Sequence, residues 1–190
     1  HPLNERASTM DLQLTGKRVL VTGGTRGIGR AIVGAFVDEG AVVGFCARDS
    51  TEVEATTEAL RSRGDATGSI VDVGDGDALA AWVQKSADAF GGLDVVVANV
   101  SALAVPDTEE NWQASMNVDL MHTVRLVRAA MPHLERSDAA SMVSAIWRDD
   151  APVTGELLRP VMQEDTVLYK LRQLDPKTPV IHPSLGDNLA

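Results

Sequence analysis

Between an apolar run at Lys17–Thr22 and an amphipathic segment that opens at Ile28 stands Thr22-Gly23-Gly24-Thr25-Arg26-Gly27-Ile28-Gly29. Glycines at 23, 27 and 29 allow a tight turn, let backbone approach a pyrophosphate closely, and let a helix pack near the strand. A helix beginning there turns unsatisfied N–H groups and a partial positive charge toward phosphate. A sharp turn that merely needs glycine is the competing reading of the triplet alone. Its position between a strand and a helix favours nucleotide binding.

The rest of the chain repeats that strand-then-helix unit. Ile28, Ala31, Ile32, Ala35 and Phe36 keep helical spacing up to Gly40. Ala41–Ala47 reads as a second strand, and Thr51 with Glu54 as a capping box opening a helix that runs to Gly64. A strand is expected over Ala66–Val73, then a helix through Leu79, Trp82, Val83, Ala87 and Phe90, stopped by Gly91-Gly92. Leu93–Ala98 is almost wholly apolar, as a strand covered on both faces must be. A long helix is expected over about 108–131, with Trp112, Met116, Leu120, Val124, Val127 and Met131 on one stripe and Pro132 ending or kinking it. Ala139–Ile146 reads as a fifth strand. Five strands alternating with four helices predict an α/β fold with a doubly wound parallel sheet.

The rhythm fails after Ile146. Residues 1–10 read as a tail or added remnant, 11–146 as the sheet domain, and 147–190 as an atypical C-terminal segment, in the same domain or partly extended. Within that segment a helix is expected through Val167, Leu168, Leu171 and Leu174, and a short strand at Val180-Ile181.

A chain of 190 residues supports one core without staples, and its net charge of −10 argues against nucleic acid or an anionic membrane surface as partner. Cys46 stands alone among apolar neighbours and reads as a small buried hydrophobe in a reducing compartment. The four histidines show no metal-ligand spacing, and no stretch approaches the ~18 apolar residues of a membrane span. These features suggest a soluble, cytoplasmic protein.

The spacing TGxxxGxG closely resembles the cofactor turn of the short-chain dehydrogenase/reductase family. Asp72-Val73 resembles the family pair that contacts the adenine ring. Asn99, in Ala98-Asn99-Val100-Ser101, stands where the family keeps NNAG, departing from it at three of four positions, and Asn117 stands in the long helix where the family keeps a catalytic-site asparagine. The match covers about residues 12–146. It implies a Rossmann-like sheet, lacking here some of the usual C-terminal strands. It also implies cofactor contacts from Gly23, Thr25, Arg26, Gly27, Ile28, Gly29, Arg48, Asp72, Val73 and Asn99. Family members act on a small carbonyl or alcohol and pair through the long helix, so a homodimer or homotetramer is expected.

An acidic residue after the second strand suits the ribose hydroxyls of NAD, whereas an arginine there suits the phosphate of NADP. The chain offers Arg48 beside Asp49, plus Arg26 in the turn. NADP(H) is therefore expected in preference to NAD(H), a guanidinium–phosphate contact being the reason.

The family's acid/base tyrosine and its lysine lie four residues apart, on one helix face. Here the single tyrosine, Tyr169, directly precedes Lys170, and helix neighbours point about 100° apart. Trp147 stands near the place of the family serine, Ser141 and Ser144 fall within the fifth strand, and Pro-Gly occurs nowhere. Asn117 is thus the one catalytic position carried over, in the family a support for a water in the proton relay. Either a catalytic segment lies outside the given sequence, or the chain is a short relative that binds nucleotide without chemistry. Little turnover is expected of the chain as given. The functions that compete are an NADP(H)-dependent oxidoreductase and a non-catalytic nucleotide-binding regulatory or interaction module. An epimerase or dehydratase of the extended relatives is disfavoured by the same missing pair.

Overall fold

The computed structural model describes residues 12–104 and 106–144. The tail at 1–10, the last two residues of the strand expected to end at Ile146, the segment 147–190 with its expected helix and strand, and Trp147, Tyr169 and Lys170 lie outside the described residues.

Five parallel strands form one sheet in the order β3-β2-β1-β4-β5: β1 Arg18–Thr22, β2 Val42–Ala47, β3 Ala66–Ile70, β4 Val95–Ala98 and β5 Ser141–Ser144. β1 is central, with Val19 opposite both Val43 and Val95, and Val21 opposite both Phe45 and Val97. Successive side chains alternate between faces. Val19, Val21, Phe45 and Val97 therefore pack on one side with Val33 and Val37 of α1 (Gly27–Asp38) and Val53 and Leu60 of α2 (Ser50–Arg61). Leu20 and Val96 pack on the other with Leu79, Trp82 and Val83 of α3 (Gly76–Phe90) and Leu126 and Ala130 of the last helix. Each fully buried valine or leucine contributes about 1.5–3 kcal/mol. Burial on both faces is what makes β1 and β4 uninterrupted apolar runs.

The chain steps outward from β1 to β2 and β3, then returns to lay β4 on the other side of β1. Connections leaving β1 and β4 diverge there, and this opens a crevice at their C-terminal ends, the usual ligand site of such sheets. The expected doubly wound Rossmann-like sheet is present.

Four local expectations need correction. The cap of α2 is Asp49, whose carboxylate accepts from the Glu52 N–H at 2.9 Å, and not Thr51 with Glu54. Asp49 and Glu52 carry the same three-residue spacing two positions earlier, and an aspartate caps as well as a threonine. β3 ends at Ile70, three residues before Val73, because its partner β2 ends at Ala47, the residue opposite Ile70.

The long helix is divided into α4 (Glu109–Ser115), a π-helical segment (Met116–Met121) and α5 (His122–Leu134). A π segment adds a residue to the turn and so rotates the apolar stripe before it away from the stripe after it. Val127 is consequently buried while Trp112 and Met116 stand exposed. Pro132 does not end the helix; it sits in the last turn and α5 continues to Leu134.

Candidate functional site

The glycine turn closes at the C-terminal end of β1. Gly23 has φ +71°, and its N–H donates to the Cys46 carbonyl at 2.8 Å. A Cβ at Gly29 would overlap the Gly23 carbonyl oxygen and the Asn99 amide, so α1 approaches the turn as only glycine allows. Arg26 is the N-cap of α1 but caps nothing with its side chain, and the first helical turn holds no acidic residue. The positive end of α1 thus has neither a side-chain cap nor an acidic residue of its own.

That crevice encloses about 740 Å³, between the glycine turn, the end of β2, the Val71–Val73 turn and the loop after β4. Gly23, Thr25, Arg26, Arg48, Asp72, Val73 and Asn99 all line it. Gly27, Ile28 and Gly29 form the first turn of α1 alongside and do not line it. Asn99 fastens the two strand ends: its backbone N–H donates to the Thr22 hydroxyl at 3.0 Å, and its amide to the carbonyls of Thr22 and Gly23. Val73 is buried at the cavity wall, and Asp72 is exposed, its carboxylate accepting from the Gly74 N–H at 2.8 Å. Asp75 caps α3, accepting from the N–H groups of Asp77 and Ala78.

Asn117 is placed differently. Ala114 and Val118, its neighbours on the helix, line the crevice. The Asn117 amide instead donates to the Gly74 carbonyl at 3.3 Å, and its oxygen accepts from Arg125 Nη1 at 2.7 Å. Arg125 Nη1 also reaches the Gly74 carbonyl. The π segment is thereby anchored to the loop that follows β3.

Two residues of the site are absent from the sequence reading. Asp119, in the same π segment, accepts from the N–H of Ala102 at 2.8 Å and so holds the cavity-lining loop after β4. No spacing in the sequence marks it. Glu52 accepts from the Thr25 hydroxyl at 3.1 Å and lies 2.8 Å from Arg26 Nε. Its signal was its place three residues after Asp49.

Cys46 is buried against the cavity, and burial pushes its thiol up to about 12, which makes it a packing residue with no thiolate chemistry at neutral pH. A wider groove of about 820 Å³ runs along the exposed edge of β3 between α2 and α3. Its lining reaches Ile70 at the end of β3 and Ser50 at the start of α2, whose N-terminus is already capped by Asp49.

A family model described as short chain dehydrogenase matches residues 17–146. The chain is 42% identical over 134 residues to the isoepoxydon dehydrogenase of Penicillium expansum, covering 68% of this chain and 52% of that protein. It is 35% identical over 147 residues to the L-fucose dehydrogenase of Mus musculus, covering 72% of this chain and 53% of that one. Among solved structures, a short chain dehydrogenase of Burkholderia cenocepacia J2315 in complex with NADP superposes with a TM-score of 0.64 at 32% identity, covering 69% of this chain and 55% of that one. An NADH-dependent reductase complexed with NAD superposes with a TM-score of 0.65 at 26% identity, covering 71% and 61%.

The parallel sheet, the glycine turn at its switch point and this match define a nucleotide-binding oxidoreductase fold, and the chain belongs to the short-chain dehydrogenase family. It spans about half the length of the curated relatives it matches. No helix among the described residues is long and apolar enough to cross a membrane.

Proposed function

We propose that the chain is the nucleotide-binding part of an NADP(H)-dependent oxidoreductase that transfers hydride to or from a small carbonyl or secondary alcohol. The observation that carries this is the glycine turn at the sheet's switch point, where α1 begins without a side-chain cap beside a crevice bordered by Arg26 and Arg48.

The residues present fit a dinucleotide: Gly23 and Gly29 let the turn and α1 close tightly on Asn99, and beside Gly27, at φ +49°, a Cβ would meet nothing, which leaves backbone open to a pyrophosphate. The N–H groups of the first α1 turn would hold the pyrophosphate. Val73 and Asp72 would flank the adenine, and Arg26 with Arg48 would take a ribose 2′-phosphate through charge-assisted hydrogen bonds. When bound, the nicotinamide supplies the hydride acceptor or donor. Asn117 acts through position, its amide fixing the π segment against Gly74. Asp119 does the same for the loop at Ala102.

The sequence contains no tyrosine with a lysine four residues later. The reading therefore assigns binding to these residues, and hydride transfer to a protein that also supplies that acid/base pair. Homodimer or homotetramer pairing through α4 and α5 belongs to the same reading and is measured by light scattering.

Fluorescence titration with NADPH and NADH tests it. Tighter binding of NADPH is expected, with little oxidation of NADPH by the 190-residue chain across a panel of ketones and aldehydes. Equal or tighter binding of NADH overturns the preference.

A further inference from the structure

In a capping box, the glutamate at the third helical position folds back onto the N–H of the cap residue. Glu52 holds that position in α2, with Asp49 as cap, yet its carboxylate turns the other way. It reaches across the mouth of the crevice to the Thr25 hydroxyl at 3.1 Å and to Arg26 Nε at 2.8 Å. All three residues line the same cavity. Arg26 is therefore paired with an internal carboxylate before any ligand arrives. The rim carries Arg26 and Arg48 against Asp49, Glu52 and Asp72.

Two ribose types meet this arrangement differently. A 2′-phosphate must compete with Glu52 for Arg26 and sit beside a like charge, which is unfavourable at this range. An unphosphorylated 2′-hydroxyl meets an acceptor already held in place. We infer that Glu52 is a specificity-determining residue, a carboxylate that occupies Arg26 and holds down the advantage of a 2′-phosphorylated ribose over a free one. The inference rests on the dinucleotide reading of the crevice and names the residue that sets its selectivity.

The test uses two fragments that isolate the ribose, 2′,5′-ADP and 5′-AMP, titrated by calorimetry into the 190-residue chain. Wild type is compared with Glu52→Gln, Arg26→Ala and the double variant. Glu52→Ser provides a second removal of the carboxylate if Glu52→Gln does not fold, and thermal unfolding checks each variant. The ratio of 2′,5′-ADP to 5′-AMP affinity is expected to rise roughly tenfold on Glu52→Gln and to be unmoved by the same change in the Arg26→Ala background. A ratio unchanged in Glu52→Gln, with both fragments still binding, overturns the inference and leaves the dinucleotide reading standing. A rise that persists without Arg26 overturns the claim that Glu52 acts through that residue. Failure of folded wild type to bind either fragment overturns both.

Discussion

The side-chain amide of Asn99 donates to the main-chain carbonyl of Gly23 at 3.3 Å, and so locks the end of β4 onto the turn that ends β1. The same amide reaches the Thr22 carbonyl, and the Asn99 backbone N–H donates to the Thr22 hydroxyl. The mouth of the crevice is therefore held by a side chain and not by the sheet ladder, in which β1 and β4 pair only from Val19 to Val21. Replacing Asn99 with Ala leaves two carbonyls without this donor. It should lower stability by about 1–2 kcal/mol and weaken NADPH binding. Urea unfolding and calorimetric titration of the variant check both halves; binding unchanged at lowered stability would confine Asn99 to a structural role.

At the opposite end of the same two strands, Arg18 and Asp94 form a half-buried clasp. Arg18 Nη2 and Nε contact the Asp94 carboxylate at 2.6 and 2.8 Å, and the Ser137 hydroxyl donates to it at 2.6 Å. Hydrogen bonds from Arg18 hold this carboxyl well below the usual range, outweighing the desolvation that would raise it. A carboxyl whose folded value is depressed stabilises the fold above its unfolded value, about 3.9, and loses that contribution as pH falls below it. Stability should therefore decline below about pH 4. Asp94→Asn should cost about 2–4 kcal/mol at pH 7 and flatten that decline, as read from urea midpoints between pH 2 and 7.

His122 predicts a second, separate window. It is fully buried at the start of α5, neither ring nitrogen meets hydrogen-bond geometry, and burial lowers its value to about 4, against the partial offset of the Val118 carbonyl and Asp119. The folded state thus takes up a proton less readily than the unfolded one, whose histidine titrates near 6.5. Stability from this group is complete above about pH 6.5 and is lost as pH falls toward 4. His122→Leu should remove the slope in that interval while leaving the slope below pH 4 that belongs to Asp94. Thermal unfolding at half-unit steps from pH 2 to 7 separates the two; a slope retained between pH 4 and 6.5 by His122→Leu would count against the assignment.

The strands and the glycine turn were legible because their signals are local: apolar runs covered on both faces, and glycines between a strand and a helix. Arg26, Arg48, Asp72, Val73 and Asn99 were expected together from the resemblance to the short-chain dehydrogenase/reductase family, and the structure brings all five to one cavity. What resisted reading depends on geometry that spacing does not encode. The π segment at Met116–Met121 changes which residues face the crevice, exposing Trp112 and directing Asn117 to Gly74 and Arg125 while Asp119 holds Ala102. The turn of Glu52 away from its own cap and toward Arg26 is likewise a contact between separate helices. Two-residue shifts in a cap, as from Thr51 to Asp49, follow from equally good capping residues standing side by side.

The central claim is that the crevice holds a dinucleotide against the N-terminus of α1. Calorimetric titration of NADPH into the wild-type chain and into Gly29→Val tests it most directly, because a side chain at 29 collides with the Gly23 carbonyl and the Asn99 amide. Saturable binding at one site per chain is expected in wild type, with loss of at least roughly a hundredfold in affinity for a Gly29→Val protein that still unfolds cooperatively. Wild-type protein that is folded and yet shows no saturable heat with NADPH, or a Gly29→Val variant that binds as tightly as wild type, would contradict it.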